Sequence, residues 1–280
     1  MKNYASIIKS AAVLLLAITL AAGATASADV LDRIAERGKI VVGSKADYRP
    51  YGYLDEGGNI VGIEPDLARD VADTLGVDLE LVAVTASNRM EFLEQGKIDV
   101  LIGTMTDTAE RRGVINILDP DYYSSGTNIM ARKESNFVSW EDLDGVPVCG
   151  IQGAFYNRKT SEEFGAEIVG FTGTSEVLEA LKQGRCAAFV YDDSFLVSRL
   201  QQDEWSEYEM PLETIDDSPW GIGVATGEDR LARLISGMIV KWHVDGRIVE
   251  LEKEYGLEPT PFAKRMHEFF VNEFVPEDAR

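Results

Sequence analysis

The sequence predicts an α/β fold of two Rossmann-like lobes joined by a two-strand hinge, and three observations predict it. Strand-like and helix-like stretches alternate along the chain, a pattern that implies parallel sheets covered by helices. The stretch LEQGKIDVLIG (93–103) returns as LKQGRCAAFVY (181–191), each a helix end, a glycine stop, a basic residue and a buried strand. One α/β unit is therefore used twice. Two extended segments, DPDYYSSGTNIMARK (119–133) and SPWGIGVAT (218–226), read as crossings between the units. The expected bounds are a leader at 1–28, lobe 1 at 29–124 with 221–280, and lobe 2 at 125–220.

Each element has its own warrant. KIVVGSK (39–45) is a continuous apolar run, as a buried strand requires. In EPDLARDVADTLG (64–76), Leu67, Ala68, Val71, Ala72 and Leu75 share one helical face, with Pro65 in the first turn and Gly76 as the stop. DLELVAV (78–84) is the next strand, NRMEFLEQG (88–96) a short helix, and KIDVLIG (97–103) a third strand. The order repeats as strand VPVCGIQG (146–153), helix NRKTSEEFG (157–165), strand AEIVGF (166–171), helix SEVLEALKQG (175–184) and strand RCAAFVYDD (185–193). Residues 228–256 read as helical, with Leu231, Leu234, Ile235, Met238, Ile239 and Trp242 forming a core-facing stripe.

The first 28 residues have the layout of a secretory signal peptide. Lys2 and Lys9 flank a polar start, Ala11 to Ala22 is apolar, and Ala26-Ser27-Ala28 is a small-residue cleavage site. No cysteine lies near that cut, so no lipid anchor is expected, and the mature product is expected to be soluble and exported. Export permits a disulfide between Cys149 and Cys186, whose strands are expected to be neighbours; two buried thiols are the alternative. His243 and His267 are far from either cysteine in sequence, so no zinc site or other metal is expected. Loss of the two leader lysines takes the net charge from −21 to about −23, which excludes a nucleic-acid partner for want of a basic footprint.

In open parallel sheets, ligands bind beyond the carboxyl ends of the strands. The residues found there are Lys45, Tyr48 and Tyr51; Thr85, Asn88 and Arg89; Thr104, Thr106 and Arg111; Ala154 and Phe155; and Asp192. Arg111 can clasp a carboxylate through two parallel hydrogen bonds. Thr106, backbone N–H groups near Thr104, and a short helix capped by Thr108 can complete that half-site. Asp192, from the other lobe, can pair with an ammonium. Together these describe an α-amino acid closed between two jaws. Against this, Arg111 can be a surface partner of Asp107 or Glu110, and Asp192 a helix cap. Lys45 and Arg89, if they face the cleft, suit a second carboxylate; otherwise they are ordinary solvated cations. Tyr48 and Tyr51 are candidates to wall the ligand's aliphatic part, or for packing alone.

The ordered stretches VGSKADYRPYGYLDEGGNIVGIEPDLARDVADTLGV, NRMEFLEQGKIDVLIGTMTDTAERR, DPDYYSSGTNIMARK, SWEDLDGVPVCGIQGA, GRCAAFVYDD and WHVDGRIVELEKEYG resemble solute-binding protein family 3, the periplasmic amino-acid-binding proteins of ABC importers. The resemblance covers nearly the whole mature chain and implies the type II periplasmic binding protein fold. It implies that Thr106 and Arg111 bind the ligand α-carboxylate, that Thr104 adds a main-chain or hydroxyl contact, and that the Ala154 N–H assists. It further implies that Asp192 receives the α-ammonium, that Tyr48 covers the ligand, and that Lys45 and Arg89 read its side chain. Relatives for basic or amide ligands carry Asp at the Lys45 position, and glutamate/aspartate binders carry Arg. Ala86, Phe155 and Thr174 depart from the acidic-ligand pattern, where a serine, a small hydroxyl residue and a histidine are usual. The implied function is capture of a polar, acidic L-amino acid and its delivery to an inner-membrane ABC permease. A monomer without cofactor is expected, located in the periplasm and not an enzyme. A same-fold enzyme of the cyclohexadienyl dehydratase type would need an acid/base group beside a leaving hydroxyl, and no histidine stands at a strand end. A sensory receptor would present the same ligand site.

Overall fold

The computed structural model describes residues 29–277, so the expected signal peptide lies outside the described residues. In chain order the first part runs α1 (Val30–Arg37), β1 (Lys39–Ser44), β2 (Asp47–Tyr48), β3 (Gly52–Leu54), β4 (Ile60–Val61), α2 (Ile63–Leu75), β5 (Asp78–Ala83), α3 (Arg89–Glu94), β6 (Val100–Leu101), α4 (Ala109–Arg112) and β7 (Asn116–Ile117). After the long strand β8 (Tyr123–Arg132) come β9 (Pro147–Ile151), α5 (Tyr156–Phe164), β10 (Glu167–Phe171), α6 (Thr174–Lys182), β11 (Ala188–Asp192) and α7 (Asp193–Leu200). The chain ends with β12 (Tyr208–Glu209), β13 (Ile215–Trp220), β14 (Gly223–Val224), α8 (Asp229–Asp245), α9 (Arg247–Glu254) and α10 (Pro261–Phe274).

Two main sheets result, and each with its helices forms a lobe. The first has the order β5-β1-β6-β14-β7, and the second β10-β9-β11-β8-β12 with β13 also on β8. In both, the first strand of the repeated unit lies between the second and third, and these pairings are parallel. The internal repeat in the sequence is thus a repeat of topology. The sheets are not wholly parallel as expected: β14 pairs antiparallel with β6, and β8 antiparallel with β11. The reason is geometric. The crossing segments re-enter each sheet from the opposite lobe, so they run against the strands they join. β8 and β13 form the two-strand connection, paired from Tyr123↔Trp220 to Thr127↔Ile215.

Helix α2 buries Leu67, Ala68, Val71 and Ala72, and Leu75 is half-buried, as the apolar spacing predicts. Full burial of one such leucine contributes about 2 kcal/mol. The stripe on α8 is buried at Leu231, Ile235, Met238, Ile239 and Trp242. Three boundaries differ from expectation. The strand expected at 97–103 is laddered only at Val100–Leu101, because the chain turns away to build the cleft edge. The helical tail breaks at Gly246, whose φ of 72° ends α8 and reorients α9. Helix α10, an element beyond those expected, starts on a Thr260 cap and Pro261 and lies along α8. Cys149 and Cys186 are bonded, their Cα atoms 5.6 Å apart, because β9 and β11 are sheet neighbours.

Candidate ligand-binding cleft

Where the two sheets face each other, a small, partly open cavity lies beyond their strand ends, with about 290 Å³ of empty space when the solvent at its mouth is included. Lobe 1 contributes Lys45 after β1, Ala86 and Arg89 after β5, and Thr104, Thr106 and Arg111 after β6. Lobe 2 contributes Ala154, Phe155 and Tyr156 after β9, and Tyr191 and Asp192 at the end of β11. A larger groove opens behind the hinge near Tyr123 and Phe262, but its rim is acidic and it holds none of these cations.

Three cations are buried here: Lys45 is 1% exposed, Arg89 3% and Arg111 9%. Each is positioned by a different device. Arg111 sits in the short helix α4, whose Thr108 cap accepts from its backbone N–H. Its Nη1 donates to the Thr106 carbonyl at 2.7 Å and its Nη2 to the Gly153 carbonyl of the other lobe at 3.0 Å. The neighbouring Arg112, not Arg111, takes Asp107 and Asp119. Arg89 donates from Nη1 to the carbonyls of Gly103 (2.6 Å) and Thr104 (3.1 Å), while its buried Nε has no hydrogen-bond partner among the described residues. Lys45 Nζ lies 2.9 Å from Asp47 Oδ1, yet the approach is too bent for a hydrogen bond, so the ammonium has charge compensation without a satisfied donor. Burial depresses both arginines, Arg111 to about 10 with Arg89 as a further cause.

Opposite the cations stands Asp192, 4% exposed. It begins α7 but makes no side-chain cap there; its Oδ2 accepts from Tyr48 Oη of lobe 1 at 3.0 Å. Burial raises its carboxyl to about 7, against the lowering effect of that hydrogen bond and of Arg89 and Lys45. Beneath the site, Glu64 of α2 is fully buried. Its Oε1 accepts from the Thr104 N–H at 2.5 Å and from Tyr122 Oη, and burial raises it to about 7. Thr104 has φ of 47°, in the left-handed region that a β-branched residue rarely adopts. Glu64 and Arg89 together hold that turn from its N–H and its carbonyl.

The structure places several of the expected residues differently from a simple cavity wall. Tyr51 does not reach the cavity; its hydroxyl donates to Tyr123 at 2.7 Å, and Tyr123 donates to Glu252. Tyr48 is likewise absent from the cavity wall, with its ring in an aromatic cluster with Tyr51, Phe195 and Trp220 and only its hydroxyl turned to Asp192. The Thr104 N–H is engaged by Glu64, which leaves the hydroxyl for any ligand contact. The Ala154 N–H closes a turn onto the Ile151 carbonyl at 3.0 Å. Tyr156 and Tyr191, absent from the expected set, line the lobe 2 wall. The signal for both was adjacency, since each directly neighbours a selected residue.

The lobes are in contact across the cleft. Gly153 has φ of 82°, and a Cβ there would lie 2.8 Å from the Ala86 backbone, so glycine is required for this approach.

Comparison with known proteins gives the family. The family model for bacterial extracellular solute-binding proteins, family 3, matches residues 40–258. The ABC transporter glutamine-binding protein of Bacillus subtilis is 31% identical over 233 residues, which cover 81% of this chain and 84% of that one. A glutamate/aspartate import solute-binding protein of Salmonella typhimurium is 23% identical over 252 residues, covering 85% and 83%. Among solved structures, a mutant of ArgBP from T. maritima superposes with a TM-score of 0.76 at 31% identity, covering 80% of this chain and 98% of that one. With two lobes of matching strand order, a cleft at their facing edges and a family match across both, the chain belongs to family 3 of the bacterial extracellular solute-binding proteins.

Proposed function

We propose that the protein is an extracytoplasmic receptor that captures an acidic L-amino acid, glutamate or aspartate, between its lobes and delivers it to an ABC permease. One observation carries this reading: three buried cations and one buried carboxylate line the cavity of a chain whose net charge is −21. An amino dicarboxylate supplies two negative groups and one positive group, the complement of that set. Arg111 with the Thr106 hydroxyl takes the α-carboxylate, Asp192 takes the ammonium, and Lys45 and Arg89 take the side-chain carboxylate. Phe155, Tyr156 and Tyr191 cover the aliphatic part. Only the closed form offers both half-sites, so ligand free energy shifts the hinge equilibrium and no covalent step is needed. The same reading places the mature protein in the periplasm after removal of residues 1–28, with lobe bounds at 29–124 plus 221–280 and 125–220.

Glutamine is the second reading, favoured by Asp47 beside Lys45, which offsets part of the cationic surplus. A thermal-shift screen of the purified protein against the common amino acids, followed by calorimetry, separates the two. The largest stabilisation is expected with L-glutamate or L-aspartate. A larger one with glutamine, or with arginine, overturns the acidic assignment.

A further inference from the structure

Helix α6 of lobe 2 begins without a cap of its own. The residue at its N-cap position is Gly173, which has no side chain to accept from the first turn. A helix start leaves its first N–H groups unpaired, and an oxygen acceptor normally meets one of them. Here the acceptor comes from the other lobe. Asp47 of β2 accepts the Thr174 N–H on Oδ2 at 3.0 Å, and the Thr174 hydroxyl donates back to the Asp47 carbonyl at 2.6 Å. Thr174 is 1% exposed and Asp47 half-buried, so both bonds are partly sheltered from water. The other carboxylate oxygen, Oδ1, is the atom 2.9 Å from Lys45 Nζ in the cleft.

We infer that Asp47 is a positioning residue with two linked tasks: it latches the closed form by capping α6 across the cleft, and it sets how much of the Lys45 charge a ligand meets. The geometry ties the tasks together. Hinge opening carries Thr174 away with lobe 2 and removes both bonds from Asp47, while Lys45 stays two residues away on lobe 1. The carboxylate is then free to rotate and pair fully with Lys45. Closure turns Oδ2 to the helix and leaves Lys45 with the bent contact, an ammonium that still needs a hydrogen-bond acceptor. A side-chain oxygen of the ligand meets that need. Closure thus readies the group that reads the ligand side chain. The second task rests on the functional reading above; the first holds for any ligand that closes the lobes.

Two substitutions separate the tasks. Asp47→Ala removes the cap and the counter-charge. Asp47→Asn keeps a carbonyl oxygen for the Thr174 N–H but removes the charge. Lobe-to-lobe fluorescence transfer without ligand reads the latch directly. Stopped-flow dissociation of the best-binding amino acid from the screen reads it kinetically. For Asp47→Ala, the closed population should fall and the dissociation rate should rise roughly two- to thirty-fold, the range of a lost helix cap. Asp47→Asn should restore most of the dissociation rate. It should also raise the glutamate-to-glutamine affinity ratio, because Lys45 is left without its counter-ion. Unchanged dissociation in Asp47→Ala overturns the latch. A restored rate with an unchanged affinity ratio in Asp47→Asn overturns the charge-setting task. Failure of the acidic-ligand assignment would show in the screen of the parent protein and leaves the fluorescence result standing.

Discussion

Asp192→Asn tests the core of the site. The parent carboxyl is 4% exposed, and burial moves it from 3.8 to about 7. That displacement corresponds to roughly 4 kcal/mol for holding the ionised form in the closed cleft. A ligand ammonium placed against it offsets this penalty and restores the charge. Asparagine has neither the penalty nor the attraction. Two opposite effects should follow. Affinity should fall by the cost of leaving one member of a buried pair alone, about 3–5 kcal/mol, or about 150- to 5000-fold in Kd. Closure without ligand should become easier, because no charge is stripped of water. Calorimetry at pH 8 with L-glutamate measures the first effect, and lobe-to-lobe fluorescence transfer without ligand measures the second. A Kd within about five-fold of the parent, with closure unaltered, would refute the role given to Asp192.

Arg111→Ala should abolish detectable binding, with Kd raised more than about 100-fold in calorimetry, since its guanidinium is buried and no second cation occupies its place in α4. Gly153→Ala should bind weakly and populate the open form in small-angle scattering even with saturating ligand, because the new methyl meets the Ala86 backbone; compact scattering like the parent's would refute that. Glu64, held within lobe 1, is raised to about 7 when folded, so its contribution is complete below about pH 4 and lost as pH rises through 7. The unliganded thermal midpoint should therefore rise by about 5 °C between pH 8 and pH 6, and a falling midpoint would contradict it. Replacing Cys149 and Cys186 by serine should lower the midpoint by about 10 °C in scanning calorimetry, from the roughly 4 kcal/mol a loop of this length contributes, with ligand selectivity unchanged.

Much of this architecture was legible because the repeated unit carries its own punctuation. The glycine stops at Gly96 and Gly184 and the buried runs after them mark the third strand of each lobe, and strand ends mark the cleft edge. Lys45, Arg89, Thr104, Thr106, Arg111, Ala154, Phe155 and Asp192 could be picked on that ground, and the structure brings all of them to one cavity. Tyr51 could not be excluded, since its direction depends on partners distant in sequence, Tyr123 and Glu252. Glu64 was invisible for a related reason. It lies in the first turn of α2, where an acidic residue normally faces water near a helix start, and only the tertiary fold drives it under Thr104. The role of Asp47 likewise depends on a helix more than 120 residues away.

The brace beneath the cleft has a kinetic meaning. With the turn at Thr104 fixed from below by Glu64 and from the side by Arg89, the lobe 1 platform is rigid before any solute arrives. Little ordering remains for it to undergo on contact, so the first encounter is expected to settle there, with the second lobe arriving as the moving part. The entropic toll of recognition then falls on one swing of the hinge rather than on the assembly of a pocket.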